Sequence, residues 1–528
     1  MTRAARHVVR VVAVAAGVVD VVAVEVVATR QDMVNYDLIV VGSGPGGYKA
    51  AITAAHLGAK VALIEKGMPG GTCLNQGCIP KKTLVHLALL IEDVNALHGR
   101  GLTGKVSGDF HAAMAHKNSV VAGIRDNFNV WLKRLGIRLI HGDAKFLTGN
   151  IVEIRTTGKQ AEAEHRPGAP ANTAIRLQAP RIIIATGATP IELPECMTDG
   201  RLIMNSRDFM FNLDELPESI LCVGGGAIGV ELGFVMHQFG SRVTIVERGG
   251  RLLDQAQISE RASNILERKF KRIGIEVKKN TTIKYCERRE NSVDVTFNDG
   301  VQKSYAKVLI AVGRKPYTDG LGLAEAAVSV DENGFIGVSE YLETSTPGIY
   351  AIGDVKAGPM TANAALHDAK VAATNAVNGN LLSPNYHKVP TVFNSALEIA
   401  AVGLTEEQAE AAGFTPDVAR ASFGGSGKAR AQHDFEGFIE MVHDEDSGQL
   451  LGGCIVGPES GEQIHMMSAA CQSERGLWFF KDMSYSHPSW CEEMETAIDP
   501  YTSAFSRSRK DAVPGIYAAN PVRRSKGA

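Results

Sequence analysis

Cys73 and Cys78 stand with four residues between them in the run Gly70-Gly71-Thr72-Cys73-Leu74-Asn75-Gln76-Gly77-Cys78-Ile79-Pro80-Lys81-Lys82. Four intervening residues let two sulfurs meet across one turn of backbone. A cysteine pair that opens and closes a disulfide moves two electrons per cycle, through thiolates rather than thiols. Two cysteines this close also fit an inert buried pair, and the glycines before them and Ile79-Pro80 after them argue for the reactive reading. Near the other end of the chain, His487-Pro488 is followed by Glu492. A His-Pro step alone reads as a turn. Its short offset to a carboxylate makes the imidazole a candidate base, because proton transfer by a positioned histidine is common acid-base chemistry.

The elements that must position these groups are legible upstream. Asp37 to Val41 is a short apolar run that enters Gly42-Ser43-Gly44-Pro45-Gly46-Gly47, then a helical pattern from Tyr48 to Leu57, then the strand Val61 to Ile64 ending at Glu65. Strand, glycine turn, helix, strand and acid is the context that gives a glycine motif its meaning as a dinucleotide fold. Gly42 permits the tight turn, Gly44 lets backbone approach a pyrophosphate, Gly47 lets the helix pack on the sheet, and Glu65 can accept from ribose hydroxyls. The pattern recurs: strand Ile220 to Val223, Gly224-Gly225-Gly226-Ala227-Ile228-Gly229, a helix, strand Val243 to Val246 and Glu247. In both copies the acid follows the last glycine by 18 residues.

Two further strands end in glycine, Ile182 to Gly187 and Val308 to Gly313, with Pro190 and Pro316 close behind, as if returning from an inserted unit. Gly348 to Asp354 is a third such run, ending in Gly353-Asp354. From Pro390 the texture changes to alternating apolar strands, such as Gly437 to Val442, and then helices, which indicates a separate C-terminal domain. Residues 156–174, rich in Ala, Gly, Pro and charge, read as a surface loop or hairpin tip.

Composition narrows the class. The 528 residues suit about three domains. A net charge of -3 gives no basic footprint for nucleic acid. The eight cysteines make one close pair and scattered singles, which fits a reducing, cytoplasmic compartment rather than a disulfide framework. Cys196, Cys222, Cys286, Cys454 and Cys471 have no metal-ligand spacing and read as inert thiols, and no metal site is expected. Residues 1–32, Val-, Ala- and Arg-rich without clear period, read as an extension that is disordered or not native. Their apolar stretch is too short for a membrane span, and Asp20 and Glu25 spoil a signal peptide.

With the two glycine turns, Gly71-Thr72-Cys73 and Cys78-Ile79-Pro80, Ala185-Thr186-Gly187, Gly353-Asp354, and His487-Pro488 with Glu492, the stretch from Met33 to about Phe505 resembles the pyridine nucleotide-disulfide oxidoreductases. Gly44-Pro45-Gly46-Gly47-Tyr48 is similar to the branch that acts on dihydrolipoamide. The resemblance implies an α/β protein: two Rossmann-like dinucleotide-binding domains and a C-terminal α+β dimerisation domain. It divides the chain into an FAD-binding domain at 33–186, an NAD-binding domain at 187–314, a second FAD-binding or central part at 315–386, a dimerisation domain at 387–510 and a tail at 511–528.

The cofactors it implies are FAD and NAD. It assigns their binding to Gly42, Gly44, Gly46, Gly47, Glu65, Lys66, Gly71, Thr72, Lys82, Ala144, Thr186, Gly187, Gly224, Gly226, Ile228, Gly229, Glu231, Glu247, Gly313, Arg314, Gly353 and Asp354. Lys82 and Glu231 match a family ion pair beside the flavin ring. Glu247 suits the 2'-hydroxyl of NAD and repels a 2'-phosphate, with Arg248 and Arg251 close by. Cys73 and Cys78 form the redox disulfide in the family, and it faces His487 and Glu492 of the other subunit of a homodimer. The partner implied is a lipoyl-bearing carrier protein or a 2-oxoacid dehydrogenase complex, with neither nucleic acid nor membrane involved. Lys81-Lys82, Asn394 to Leu397, Tyr485, Trp490 and Cys491 depart from that branch and leave another disulfide substrate, or a docking role with little turnover, as alternatives.

Overall fold

The computed structural model describes residues 9–15, 18–24, 33–156, 174–254, 258–473 and 475–508. The strand β1 (Leu38–Val41) is buried along its whole length. It leads through the first glycine turn into α1 (Pro45–His56), and β2 (Val61–Glu65) pairs with β1 in parallel. Leu-Ile-Val-Val carries no alternation because both faces of the sheet are covered: Leu38 and Val40 pack with α1, while Ile39 and Val41 pack with Phe146, Val152 and Leu177 of the antiparallel strands Asp143–Thr148, Ile151–Arg155 and Ala174–Gln178. Helix α1 begins at Pro45, ahead of the expected Tyr48, since the fixed φ of proline suits the first helical turn. The sheet has five parallel strands in the order Ile349–Ala351, Arg181–Ile184, β1, β2, Arg138–His141.

After β2 come α2 (Gly71–Gln76), which carries Cys73, and α3 (Cys78–Ala96), whose first residue is Cys78. The second fold repeats the first: β3 (Ser219–Val223), α4 (Ala227–Phe239) and β4 (Arg242–Val246). They build a parallel sheet ordered Ile203–Asn205, Lys307–Ile310, β3, β4, Glu276–Lys278. The chain enters and leaves this fold through Ala188–Pro190 and Arg314–Pro316, which pair antiparallel as a two-stranded clasp. Helix α5 (Ala362–Asn378) packs back on the first fold, its Ala369, Ala372 and Ala373 sharing a core with Ala50 and Ala54 of α1. The last sheet is antiparallel, ordered Thr391–Asn394, Glu398–Gly403, Leu450–Val456, Phe438–Asp444, Pro416–Ser422. Phe438–Asp444 is buried at every position rather than alternating, because Ile439 and Met441 share one apolar cluster with the helices Ser460–Cys471 and α6 (Glu492–Ser508) while Phe438 faces another.

Helix α4 is apolar nearly all round, and such a helix is buried all round. It lies at the meeting point of the three units. Leu84, Val85 and Ala88 of α3, Val230 and Phe234 of α4, and Phe393, Leu397 and Ile399 of the C-terminal sheet belong to one continuous apolar cluster. No helix among the described residues is long and apolar enough to cross a membrane.

Two sequence expectations change. Cys196 and Cys286 are not inert thiols: they form a disulfide between the 3₁₀ turn Pro194–Cys196 and the strand Ile283–Arg288. They lie 90 residues apart, a separation that carries no local signal. In residues 1–32, Val9–Ala15 and Val18–Val24 pair as an antiparallel hairpin instead of lacking structure. Valine is β-branched and favours extended backbone. The proposed loop tip lies almost wholly outside the described residues, between two paired strands ending at Arg155 and beginning at Ala174, and the tail at 511–528 lies outside them too.

The disulfide closes a ring that encloses the second glycine turn. The C196S/C286S double variant should therefore unfold at lower denaturant than the parent. Chain entropy sets an upper scale of about 4–5 kcal/mol for a ring of this length. Equal midpoints for parent and variant without reductant would show that the bond contributes no stability.

Candidate active site

Both glycine turns obey the same steric rule. A Cβ at Gly42 would lie 2.3 Å from the Ala185 carbonyl oxygen, and at Gly224 it would lie 2.4 Å from that of Ala311. A Cβ at Gly47 would meet the Gly42 carbonyl oxygen at 1.8 Å, and one at Gly229 that of Gly224 at 1.9 Å. At Gly44 and Gly226, the N-caps of α1 and α4, an added Cβ would meet nothing within 4 Å. Each turn thus closes tightly on its own sheet and leaves open ground at a helix N-terminus, where backbone amides and the helix dipole suit a pyrophosphate. The residues fit a dinucleotide at both places.

The acids act alike as well. Glu65 accepts from the Ser43 amide at 2.9 Å and the Ser43 hydroxyl at 2.7 Å, and from the Gly67 amide at 2.7 Å. Glu247 accepts from the Gly225 and Gly249 amides, each at 2.7 Å. Each carboxylate stands at the end of the second strand and is held across its turn, in place to receive ribose hydroxyls. Ser43, not singled out in the sequence, also accepts from the Gly70 amide at 3.1 Å. A Cβ at Gly71 would lie 2.6 Å from Gly44 Cα, so α2 starts hard against the first turn and sets Cys73 beside it.

Around this turn, the Thr186 hydroxyl donates to the Tyr317 carbonyl oxygen at 2.7 Å, and the Gly187 carbonyl accepts from the Tyr317 amide at 2.8 Å. Lys66 lies 3.4 Å over the Tyr317 ring. Ala144 is half-buried on the strand Asp143–Thr148, which follows the Gly142 amide that donates to the Glu65 carbonyl. Thr72 and Ile228 are half-buried at the starts of α2 and α4. Gly46 of α1 faces Ile352 and Ala365. Gly313 precedes Arg314, whose guanidinium donates to the Ala188 carbonyl across the clasp. Burial holds the Asp354 carboxyl above its ordinary range, while Arg314 and Lys356 pull the other way.

Cys73 and Cys78 are not bonded to each other in this structure. The Cys73 thiol hydrogen-bonds to the Cys78 sulfur, which lowers the pKa of Cys78 and, with burial, raises that of Cys73. Lys81 also lowers Cys78 through its charge. Cys78 opens α3, where the helix dipole favours an anion. Of the two sulfurs, Cys78 is the one whose thiolate the surroundings favour. The Tyr48 hydroxyl is raised first by burial and then by the charges of both cysteines, so α1 presents a phenol near the pair. Its ring packs edge-on against Phe128 at 5.5 Å and Trp131 at 6.0 Å.

The expected Lys82–Glu231 pair is corrected. Lys81 Nζ lies 2.7 Å from Glu231 Oε1; the glutamate is buried and the lysine half-buried. Glu231 also accepts from the Asn394 amide at 2.8 Å. Lys82 points instead to the C-terminal sheet, donating to the Asn394 side chain and lying 3.2 Å from Glu398. Glu231 is the one acid on α4, and a buried carboxylate needs a cation. Adjacent residues on a helix point about 100° apart, so α3 can offer α4 only one of its two lysines.

On α6, Glu492 accepts from the Ser489 amide at 2.5 Å and lies 2.7 Å from His487 Nδ1. The Ser489 amide first, and then His487, hold Glu492 below the usual carboxylate range. With Nδ1 donating to the carboxylate, Nε2 is left to accept a proton. The His487-Pro488 bond is cis. His487 is 83% exposed in the single chain. Among the described residues no hydrogen bond or ion pair joins it or Glu492 to either cysteine. Tyr485 donates to the Phe480 carbonyl at 2.9 Å, and Trp490 is buried edge-on to Phe423 at 5.3 Å. Both unusual residues serve the packing of their own domain.

Residues 36–369 match the pyridine nucleotide-disulphide oxidoreductase family, and residues 389–498 match that family's dimerisation domain. The chain is 36% identical over 479 residues to a dihydrolipoyl dehydrogenase of Thermus scotoductus, covering 88% of this chain and 97% of the relative. It is 35% identical over 469 residues to one of Geobacillus stearothermophilus, covering 88% and 96%. Among solved structures it is similar to the HOCl-induced flavoprotein disulfide reductase RclA from Escherichia coli, at a TM-score of 0.75 and 28% identity, covering 88% of this chain and 100% of that one.

Replacing Lys81 by Met removes the cation one helical turn from Cys78. In the reduced apoprotein the ultraviolet thiolate absorbance of the pair should then develop at higher pH than in the parent. An unchanged titration would show that the charge of Lys81 does not reach the sulfur.

Proposed function

The chain belongs to the pyridine nucleotide-disulphide oxidoreductase family, and on that premise we propose that it oxidises the dihydrolipoamide of a lipoyl-bearing carrier protein with NAD as acceptor. The observation that carries this reading is the cysteine pair Cys73 and Cys78, on α2 and at the start of α3, set against a glycine turn shaped for a dinucleotide. FAD, when bound at Gly42, Gly44, Gly47, Glu65, Thr186, Gly187 and Asp354, supplies a two-electron relay between the cysteines and NAD. Gly224, Gly226, Gly229 and Glu247 hold the NAD.

In the oxidised protein Cys73 and Cys78 are joined. Nε2 of His487 of the partner subunit takes a proton from one substrate thiol, and Glu492 steadies the ring through Nδ1. The substrate thiolate attacks Cys73 Sγ, and Cys78 leaves as a thiolate stabilised by Lys81 and the start of α3. The second substrate thiol then displaces Cys73. The substrate departs as a disulfide, and the protein is left with Cys73 as a thiol and Cys78 as a thiolate. Dimerisation through the C-terminal domain supplies the histidine.

A second reading keeps this machinery for a different disulfide. Lys81, not Lys82, holds Glu231, and Lys82 and Asn394, both unusual for the lipoamide branch, bind each other. A solved structure at 28% identity is that of an HOCl-induced flavoprotein disulfide reductase.

The deciding assay is NADH formation from NAD and free dihydrolipoamide, with NADP and with NAD(P)H plus low-molecular-weight disulfides in parallel. Rapid NADH formation is expected, and none with NADP. His487→Gln should slow turnover by roughly 10²–10⁴-fold, and Cys78→Ser should abolish disulfide chemistry while FAD stays bound. A flavin that NADH reduces, in a protein inert to dihydrolipoamide, would overturn the lipoamide assignment and favour the second reading.

A further inference from the structure

Beneath the Gly353-Asp354 turn lies a charged cluster that the reaction does not use. Lys356 and Asp368 are both buried, at 3% and 1% side-chain exposure, with Nζ 3.2 Å from Asp368 Oδ2. Lys356 also donates to the Tyr386 hydroxyl at 2.7 Å and to the Ala357 carbonyl at 3.3 Å, so its ammonium protons are all engaged. The Tyr386 hydroxyl in turn donates to Asp368 Oδ1 at 2.6 Å. The remaining bond fixes the cluster's purpose: Asp368 Oδ2 accepts from the Gly353 amide at 3.0 Å.

A buried ion pair is seldom kept for stability alone, since removal of its charges from water offsets their attraction. Here the carboxylate holds a main-chain amide in a turn where Gly353 has a φ of +67°. The turn stands at the end of the strand Ile349–Ala351, beside β1's neighbour Arg181–Ile184, on the edge of the first dinucleotide fold. Next to it, the Asp354 carboxyl lies among Arg314, Lys356 and Asp368.

We propose that Lys356, Asp368 and Tyr386 are positioning residues for the flavin site, locking the Gly353-Asp354 turn from behind so that Asp354 meets the bound cofactor preformed. The proposal rests on the flavoprotein reading above. Asp368 anchors the amide, Lys356 neutralises Asp368 and faces Asp354, and Tyr386 fixes the distance between the two charges. Because Tyr386 opens the link to the C-terminal sheet, the lock also joins the cofactor turn to the dimerisation domain.

The test is titration of FAD into deflavinated protein, followed by flavin fluorescence, for the parent, K356M, Y386F and the K356M/D368N pair. Thermal unfolding of each apoprotein reports folding separately. K356M leaves a buried carboxylate without its cation and should weaken FAD by roughly tenfold or more; Y386F should weaken it less. The neutral K356M/D368N pair should recover most of the affinity, because asparagine still accepts from Gly353 and donates to Tyr386, whereas a merely structural role predicts apoprotein stability changing with FAD affinity untouched. Folded K356M and Y386F that bind FAD within about twofold of the parent would overturn the proposal; if K356M does not fold, Y386F and K356M/D368N decide on the same criterion. A parent that takes up no FAD would sink the flavoprotein reading itself.

Discussion

The contact on which the rest of the molecule depends is the buried carboxylate of Glu231. It sits on a helix with no solvent-facing side, and it is satisfied from two directions, by Lys81 of α3 at 2.7 Å and by the Asn394 amide of the C-terminal sheet at 2.8 Å. Three units therefore meet at one charge. The apolar cluster around it supplies the bulk of the association, but apolar surfaces slide over one another, whereas a buried carboxylate fixes register because misplacing it leaves an unpaired charge. What it fixes is α3, and the first residue of α3 is Cys78. The same lysine that satisfies Glu231 lowers the thiol of Cys78, so the domain junction and the redox chemistry share a cation.

The two glycine turns show a second constraint, imposed by backbone alone. In each, the outer glycines are required by carbonyl oxygens closer than 2.5 Å to where a side chain would start, while the middle one faces open space. The outer positions serve the fold and the middle one serves a ligand. Since the duplicated distances agree to within 0.1 Å, the two turns solve one packing problem twice, and the differences between the sites come from what surrounds them. The first turn has α2 packed on it, with Gly71 against Gly44, which is why the cysteines stand beside the first turn and not the second.

What could be read from sequence follows from how far each signal reaches. The strands, both glycine turns and the acids 18 residues on are local patterns, and they locate the dinucleotide folds to within a few residues. The Cys73–Cys78 spacing and the His487–Glu492 offset are equally local. Contacts between distant segments were not legible. Nothing near Cys196 points to Cys286, nothing distinguishes Lys81 from Lys82 without knowing which side of α3 meets α4, and nothing near Lys356 points to Asp368 and Tyr386. The buried strand Phe438–Asp444 misled in another way: its glutamate and histidine suggest an exposed face, but Glu440 is covered and lies 3.3 Å from Arg261 and 3.2 Å from Arg420. The departures at Tyr485 and Trp490 turn inward to their own domain, so they do not by themselves redirect the substrate.

The geometry of His487 bears on the assembly. A base that is hydrogen-bonded on Nδ1 and almost fully exposed is oriented but not yet useful, since thiol deprotonation is helped by an enclosed site where charge interactions are strong. The cysteines have the converse deficiency. They have a cation, a helix N-terminus and a phenol nearby, but no base among the described residues of their own chain is bonded to them. Each half lacks what the other offers. A second copy related by a two-fold axis would bring a histidine to each cysteine pair and a cysteine pair to each histidine in one step, because a symmetric interface repeats every contact. The matched dimerisation domain carries the histidine–glutamate pair near its end, so on the proposed scheme the surface that associates would also complete the chemistry. Assembly in such a protein is not an addition to a finished active site. On the proposed scheme the single chain is folded to be half of one.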